Sequence, residues 1–165
     1  MSDEADAKSA LDEMQLVVYK LGDEEYGVEV NQVREIIRME TVTIIPKAPF
    51  YIEGVINLRG QVTTVVSLRT KFDLEDVEAD QHTRIIVAEL GDLIVGMTVD
   101  SVTEVMRVSR SSIEPTPTIV TSGVDSDCLE GVCKLDNRLL ILMNLHKVLS
   151  EDELGQVNQI ANMAS

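Results

Sequence analysis

The chain has 165 residues, 44% of them hydrophobic and 26% charged, with a formal net charge of -15. That much apolar material closes a core and excludes wholesale disorder. So acidic a surface repels phosphate backbones and anionic headgroups, which excludes a nucleic-acid reader, and no apolar run approaches the roughly 20 residues that span a bilayer. The acidity reads as solubility, or as life in a salty cytoplasm, before it reads as a specific basic partner.

In chain order, residues 1–13 are acidic and polar and lack the basic and apolar regions of a secretory signal, so a mobile terminal segment is expected. "QLVVYKLGDEEYGVEV" is an apolar-rich run broken by Gly-Asp, the pattern of a β-hairpin. "NQVREIIR" follows, where Asn31 can cap a helical turn. "TVTIIP" reads as a short edge strand ended by Pro46, and "GQVTTVVSL" as a buried strand introduced by a turn. The series then repeats. "RIIVAELGDLIVGMTV" is a second Gly-Asp hairpin, "DSVTEVMR" a second helical turn or a strand with a bulge, "SSIEP" a second edge strand and "NRLLILMNL" a second buried strand. Finally "SEDELGQVNQIANM" opens on Ser150 with Glu153 three residues later, a capping box, and Leu154, Val157 and Ile160 recur at helical spacing. Its apolar stripe is expected to pack on the nearest barrel.

The repetition sets the architecture. Gly27 falls on Gly96, Val30 on Val99, Val33 on Val102, Glu35 on Glu104, Arg38 on Arg107 and Pro46 on Pro115, and "EGVINLRGQVTTVVSL" falls on "EGVCKLDNRLLILMNL" after an extra stretch around 116–127. Short strands with regular turns and no long helix suggest small closed barrels. The expected fold is mainly β: two barrel lobes from an internal duplication, about 14–80 and 81–150 and interleaved, followed by a helix over 151–165.

No catalytic constellation is present: no G-x-S-x-G elbow, no Gly-rich phosphate loop, no H-E-x-x-H. His82 sits in a polar connector. His146 with Cys128 and Cys133 is a poor zinc set, because C-x4-C is the wrong spacing and a fourth ligand is lacking. The cysteines read as small buried hydrophobes in a reduced cytoplasm. No metal, cofactor or enzymatic activity is expected.

Two features stand out. The turn "NLRGQ" of the first copy becomes "KLDNR" in the second, so Arg59 is replaced by Asp136 where Gly60 and Asn137 would suffice for φ > 0. A cation on a rigid turn suits a carboxylate or a row of carbonyls, or is simply exposed. Val33, Ile36, Val102 and Val105 are either core or two equivalent apolar patches beside a groove between the lobes, a seat for a partner helix.

"LGDEEYGVEVNQVREI", "GVINLRGQVTTVVSLRTKF", "VGMTVDSVTEV" and "LLILMNLHKVL" together resemble the CheW family of chemotaxis coupling proteins over about residues 14–150. The resemblance implies two five-stranded SH3-like barrels and a non-catalytic, cytoplasmic adaptor recruited to membrane receptor clusters. It implies two partners, the cytoplasmic tip of chemoreceptors and the regulatory domain of the histidine kinase CheA. It carries the receptor-contacting patch onto Val33, Glu35, Arg59, Val102 and Val105. Thr64 and Ser67 depart from the family's common Pro and Asp. A stand-alone adaptor is preferred over a module fused to a kinase or receiver; a small-ligand barrel and a paralogue serving another kinase pathway are the alternatives.

Overall fold

A computed structural model of the chain describes residues 12–75, 77–116 and 126–164. Residues 1–11 and most of the extra stretch around 116–127 lie outside the described residues.

The first Gly-Asp hairpin is β1 (Glu13–Leu21) and β2 (Glu24–Glu29), with Leu21 opposite Glu24 across a two-residue loop in which Gly22 takes φ +62°. A 3-10 turn, Val30–Gln32, leads to β3 (Val33–Arg38), and a second hairpin follows, β4 (Ile52–Leu58) and β5 (Gln61–Ser67). The short helix α1 (Leu68–Lys71) precedes β6 (Arg84–Leu90) and β7 (Leu93–Val99), then β8 (Ser101–Ser109), the two-residue β9 (Ile113–Glu114), β10 (Leu129–Leu135) and β11 (Arg138–Met143). Helix α2 (Glu151–Ala164) closes the chain, and its capping box forms as expected: the Glu153 amide donates to Ser150 Oγ at 3.2 Å and the Ser150 amide to Glu153 Oε1 at 2.9 Å.

The strands form two sheets, β8-β1-β2-β11-β10-β9 and β3-β6-β7-β5-β4. Each mixes the two copies. The first Gly-Asp hairpin, β1–β2, joins second-copy strands through the parallel β2–β11 seam, and the second Gly-Asp hairpin, β6–β7, joins first-copy strands through the parallel β5–β7 seam. We call the resulting lobes barrel A and barrel B.

The duplication extends to irregularities that pattern alone does not show. Thr103 is an extra residue on β8 against β1, and Arg34, its repeat equivalent, is extra on β3 against β6. Glu130 and Glu53 are extra in the same way on β10 and β4. The barrel cores also correspond. Leu16, Val18, Met106, Val108, Cys133 and Leu142 fill barrel A, and their equivalents Ile85, Val87, Ile37, Met39, Ile56 and Val65 fill barrel B. A third and larger core lies between the barrels, drawn from the outer faces of both hairpins (Val17, Tyr19, Val28; Ile86, Ala88, Met97) and from α2.

Three expectations need correction. Asn31 does not cap the helical turn of the first copy, which is a 3-10 turn starting after Glu29 with no side-chain cap. That turn gives way at once to the bulged strand β3, while the second copy follows its bulged-strand alternative from Ser101. "TVTIIP" is not a strand but a single bridge, Thr43 to Val55, whose counterpart in the second copy is Glu114 to Val132. Pro46 and Pro115 therefore stand at different distances from equivalent bridges, and their alignment is coincidental. Finally, neither Asp136 nor Asn137 takes a positive φ, whereas Arg59 (+52°) and Gly60 (+85°) both do.

Candidate functional site

The turn between β4 and β5 carries Arg59 on a two-residue loop with both φ values positive, the type I′ geometry whose twist matches paired strands. Asn57 Oδ1 accepts from the Gly60 amide at 2.9 Å and braces the loop. Arg59 Nη1 donates to Glu35 Oε2 at 2.6 Å, joining the turn to β3 across the barrel. The pair is lopsided: the Arg59 side chain is 72% exposed and that of Glu35 only 20%. Glu35 thus aims a guanidinium whose remaining surface faces solvent, a fork suited to carbonyls or carboxylates.

The second copy keeps this device with a different arginine. Glu104, the equivalent of Glu35, accepts from Arg138 Nη1 at 3.1 Å, and Arg138 Nη2 also donates to Glu25 Oε2 at 2.5 Å. The hydrogen bond that Arg138 donates to Glu25 holds its pKa above the ordinary value. Asp136 therefore marks a shift of the cation by two residues, not its loss, and Arg138 is a member of the charge pattern that reading the sequence missed. The signal was there in Glu104, which repeats Glu35 and needs a partner.

The four apolar candidates divide in two. Val33 and Val102 are half-buried and pack against the core between the barrels, opposite Ala88 and Tyr19. Ile36 and Val105 are 37% and 57% exposed, opposite Ile86 and Val17 of the same core. Each of β3 and β8 thus extends the inter-barrel core to its open edge with one anchored and one exposed apolar side chain. Among the five site residues expected from the sequence, Glu35 and Arg59 touch directly, and the three valines line the equivalent strands.

The family model for the CheW-like domain matches residues 15–153. The chain belongs to the CheW family. Chemotaxis protein CheW of Klebsiella aerogenes is 35% identical over 147 residues, 89% of this chain and 88% of that one. Its Bacillus subtilis namesake is 36% identical over 137 residues, covering 83% and 87%. The crystal structure of the scaffolding protein TtCheW from Thermoanaerobacter tengcongensis superposes with a TM-score of 0.76 at 33% identity, covering 85% of this chain and 90% of that one. The two-barrel fold and the place in chemotaxis signalling are those of a CheW-like scaffold.

Both departures from the commoner CheW pattern find local employment. Ser67 caps α1, its hydroxyl oxygen accepting from the Thr70 amide at 3.2 Å, a task Asp performs equally well. The buried Thr64 donates its hydroxyl to the Val157 carbonyl of α2 at 3.1 Å. Cys128 belongs to the inter-barrel core and Cys133 to barrel A, while His82 and His146 are exposed, and among the described residues no cluster of His, Cys, Asp and Glu is arranged for a metal. A cavity of about 230 Å³ opens at the end of barrel B beside Met39, Val42 and Thr83. It is smaller than ordinary ligand pockets, and the barrel interior behind it is filled by side chains.

Proposed function

We propose that this chain is a non-catalytic adaptor that couples chemoreceptors to the histidine kinase CheA. The observation that carries the reading is the Glu35–Arg59 pair: a largely exposed guanidinium, oriented by a half-buried carboxylate, on the barrel whose edge strand also bears Val33 and Ile36. A receptor tip is a helical hairpin, and hairpin turns present backbone carbonyls that a planar fork can take while apolar side chains seat the helix. Val102 and Val105 provide the equivalent apolar edge on barrel A.

The kinase contact falls on other surfaces of the barrels, by loops or strand edges meeting the like fold of the kinase regulatory domain. Coupling then needs no chemistry: binding both partners at once raises the effective concentration of kinase at the receptor. Among the described residues no helix is long and apolar enough to cross a membrane.

Arg59→Ala should weaken binding of a receptor-tip fragment about ten- to a hundred-fold, the worth of one or two charge-assisted hydrogen bonds. Its stability should stay within about 1 kcal/mol, since the ion pair it loses is largely exposed on the Arg side. Titration of fragment into folded variant decides it, and unchanged affinity removes Arg59 from the site. Reconstitution with receptor fragment and kinase, reading autophosphorylation, tests the adaptor role as a whole.

A further inference from the structure

Helix α2 breaks the pseudo-symmetry. After β5 the first copy continues into the four-residue α1; after β11 the second continues through a 3-10 turn into fourteen residues of α2. The chain leaves barrel A at Met143, yet the anchors of α2 lie on barrel B. Lys71 Nζ donates to Glu153 Oε2 at 2.5 Å, the Tyr51 hydroxyl to Gln156 Oε1 at 2.5 Å, and the Thr64 hydroxyl to the Val157 carbonyl at 3.1 Å. Val157 and Ile160 are buried in the core between the barrels. The Lys71 and Glu153 side chains are 12% and 20% exposed, so solvent screens their attraction less than it does a surface pair.

Beyond these anchors the last turn of the helix, at Ala161 and Asn162, walls a cleft of about 620 Å³. The opposite walls are Gly60 and Gln61 of the Arg59 hairpin and Asp92 of the β6–β7 turn. That hairpin has reason to need support, because Arg59 sits at a positive φ that non-glycine residues rarely adopt. The equivalent turn of barrel A has no positive φ, and the arginine beside it is tied by two carboxylates. The strained turn and the added helix occur on the same barrel.

We infer that α2 is a positioning element for the Arg59 turn: clamped on α1, β4 and β5, it holds the start of β5 and thereby the direction of the guanidinium, touching no partner itself. Its consequence for binding rests on the reading of Arg59 as a receptor contact; its structural test does not.

The test is amide hydrogen exchange on the full chain carrying Thr64→Val and Tyr51→Phe, two near-isosteric changes that strip two anchors. Exchange at Gly60 and Gln61 should quicken about fivefold or more, while Asn137 and Arg138 in the equivalent turn stay unchanged. Thr64→Ser, which keeps a hydroxyl, should exchange as the unaltered chain does. Removal of residues 151–165 should enlarge the local effect; if that shortened chain fails to fold, the double variant decides. No change at Gly60 and Gln61, or an equal change in both turns, overturns the inference. Affinity for a receptor-tip fragment should fall about three- to tenfold in the double variant. If it does not fall although Arg59→Ala weakens binding, the inference is overturned; if Arg59→Ala has no effect either, it is the receptor reading that fails, and the exchange result stands.

Discussion

Glu35 and Glu104 show how one residue position can be conserved between copies while its partner moves. In barrel B the cation comes from the turn itself and stays largely exposed; in barrel A it comes from the first residue of β11 and is closed in by Glu25 and Glu104. The same local charge pattern thus leaves one arginine available and consumes the other. Asp100 gives a case where the charge serves cohesion. Arg69 Nε and Nη2 donate to its two oxygens, each at 2.6 Å, and the Gly22 amide of the other barrel donates at 2.8 Å. Burial pushes the Asp100 carboxyl up, but the Arg69 and Gly22 hydrogen bonds and the Arg69 charge outweigh it, and the pKa ends below the usual carboxylate value. A carboxyl lowered by folding contributes stability above its unfolded pKa of about 4 and loses it as pH falls through the lower folded value. Asp100→Asn should therefore cost about 1–3 kcal/mol at neutral pH, the range for a charged hydrogen-bonded pair, with the gap to the parent closing in acid. Denaturant melts at pH 7 and near pH 3 measure this, and an equal gap at both would show that the charge is not what matters.

At the scale of elements, the bulges are the most demanding feature. Gly54 and Gly131 follow the extra residues Glu53 and Glu130, with φ +149° and +153°. A Cβ at Gly54 would stand 2.1 Å from the Thr43 carbonyl oxygen, and one at Gly131 2.6 Å from that of Glu114. These close approaches are the bridges that draw the edge segment onto each hairpin. Gly54→Ala should cost about 2–4 kcal/mol, because the backbone oxygen cannot yield without losing the bridge. Gly60→Ala, where nothing lies within 4 Å, should cost about 1 kcal/mol from its positive φ alone. Equal midpoints for the two alanine variants in thermal melts would contradict the steric account. The hairpins and the capping box were legible because Gly-Asp loops and Ser-x-x-Glu act through adjacent backbone groups. Ser150→Ala should accordingly cost only about 1 kcal/mol, read in the same melts. The edge segment at 41–46 was misread because strand formation needs a partner strand, and the neighbour available to it makes only one bridge.

At the scale of the molecule, the two copies complete each other's barrels instead of folding side by side. A hairpin that seals the other copy's sheet places its outer face against the matching hairpin, which is why the largest core lies between the barrels. It follows that β3 and β8 become equivalent edge strands bordering one shared core, each carrying an exposed apolar side chain, Ile36 on one and Val105 on the other. Val105→Glu, at a site 57% exposed, should leave stability almost unchanged, weaken receptor-tip binding at least about tenfold and spare kinase binding. Parallel titrations with the two partners on one folded sample test this; a joint fall would mean the surfaces are not separate.

Sequence by itself determined the duplication, the mainly β class, the Gly-Asp hairpins, the cap of α2 and the family, since these rest on local backbone chemistry or on strings of residues in order. It also marked Glu35 and Arg59. What it left open was decided by tertiary structure: that Val33 and Val102 are anchored while Ile36 and Val105 stay exposed, that Arg138 answers Glu104, and that α2 crosses to barrel B. Each depends on which copy supplies the neighbouring strand, and apolar periodicity is identical whether a hairpin seals its own copy's sheet or the other's. The choice is made by packing over the whole chain, where the outer faces of both hairpins and one side of α2 are removed from water together.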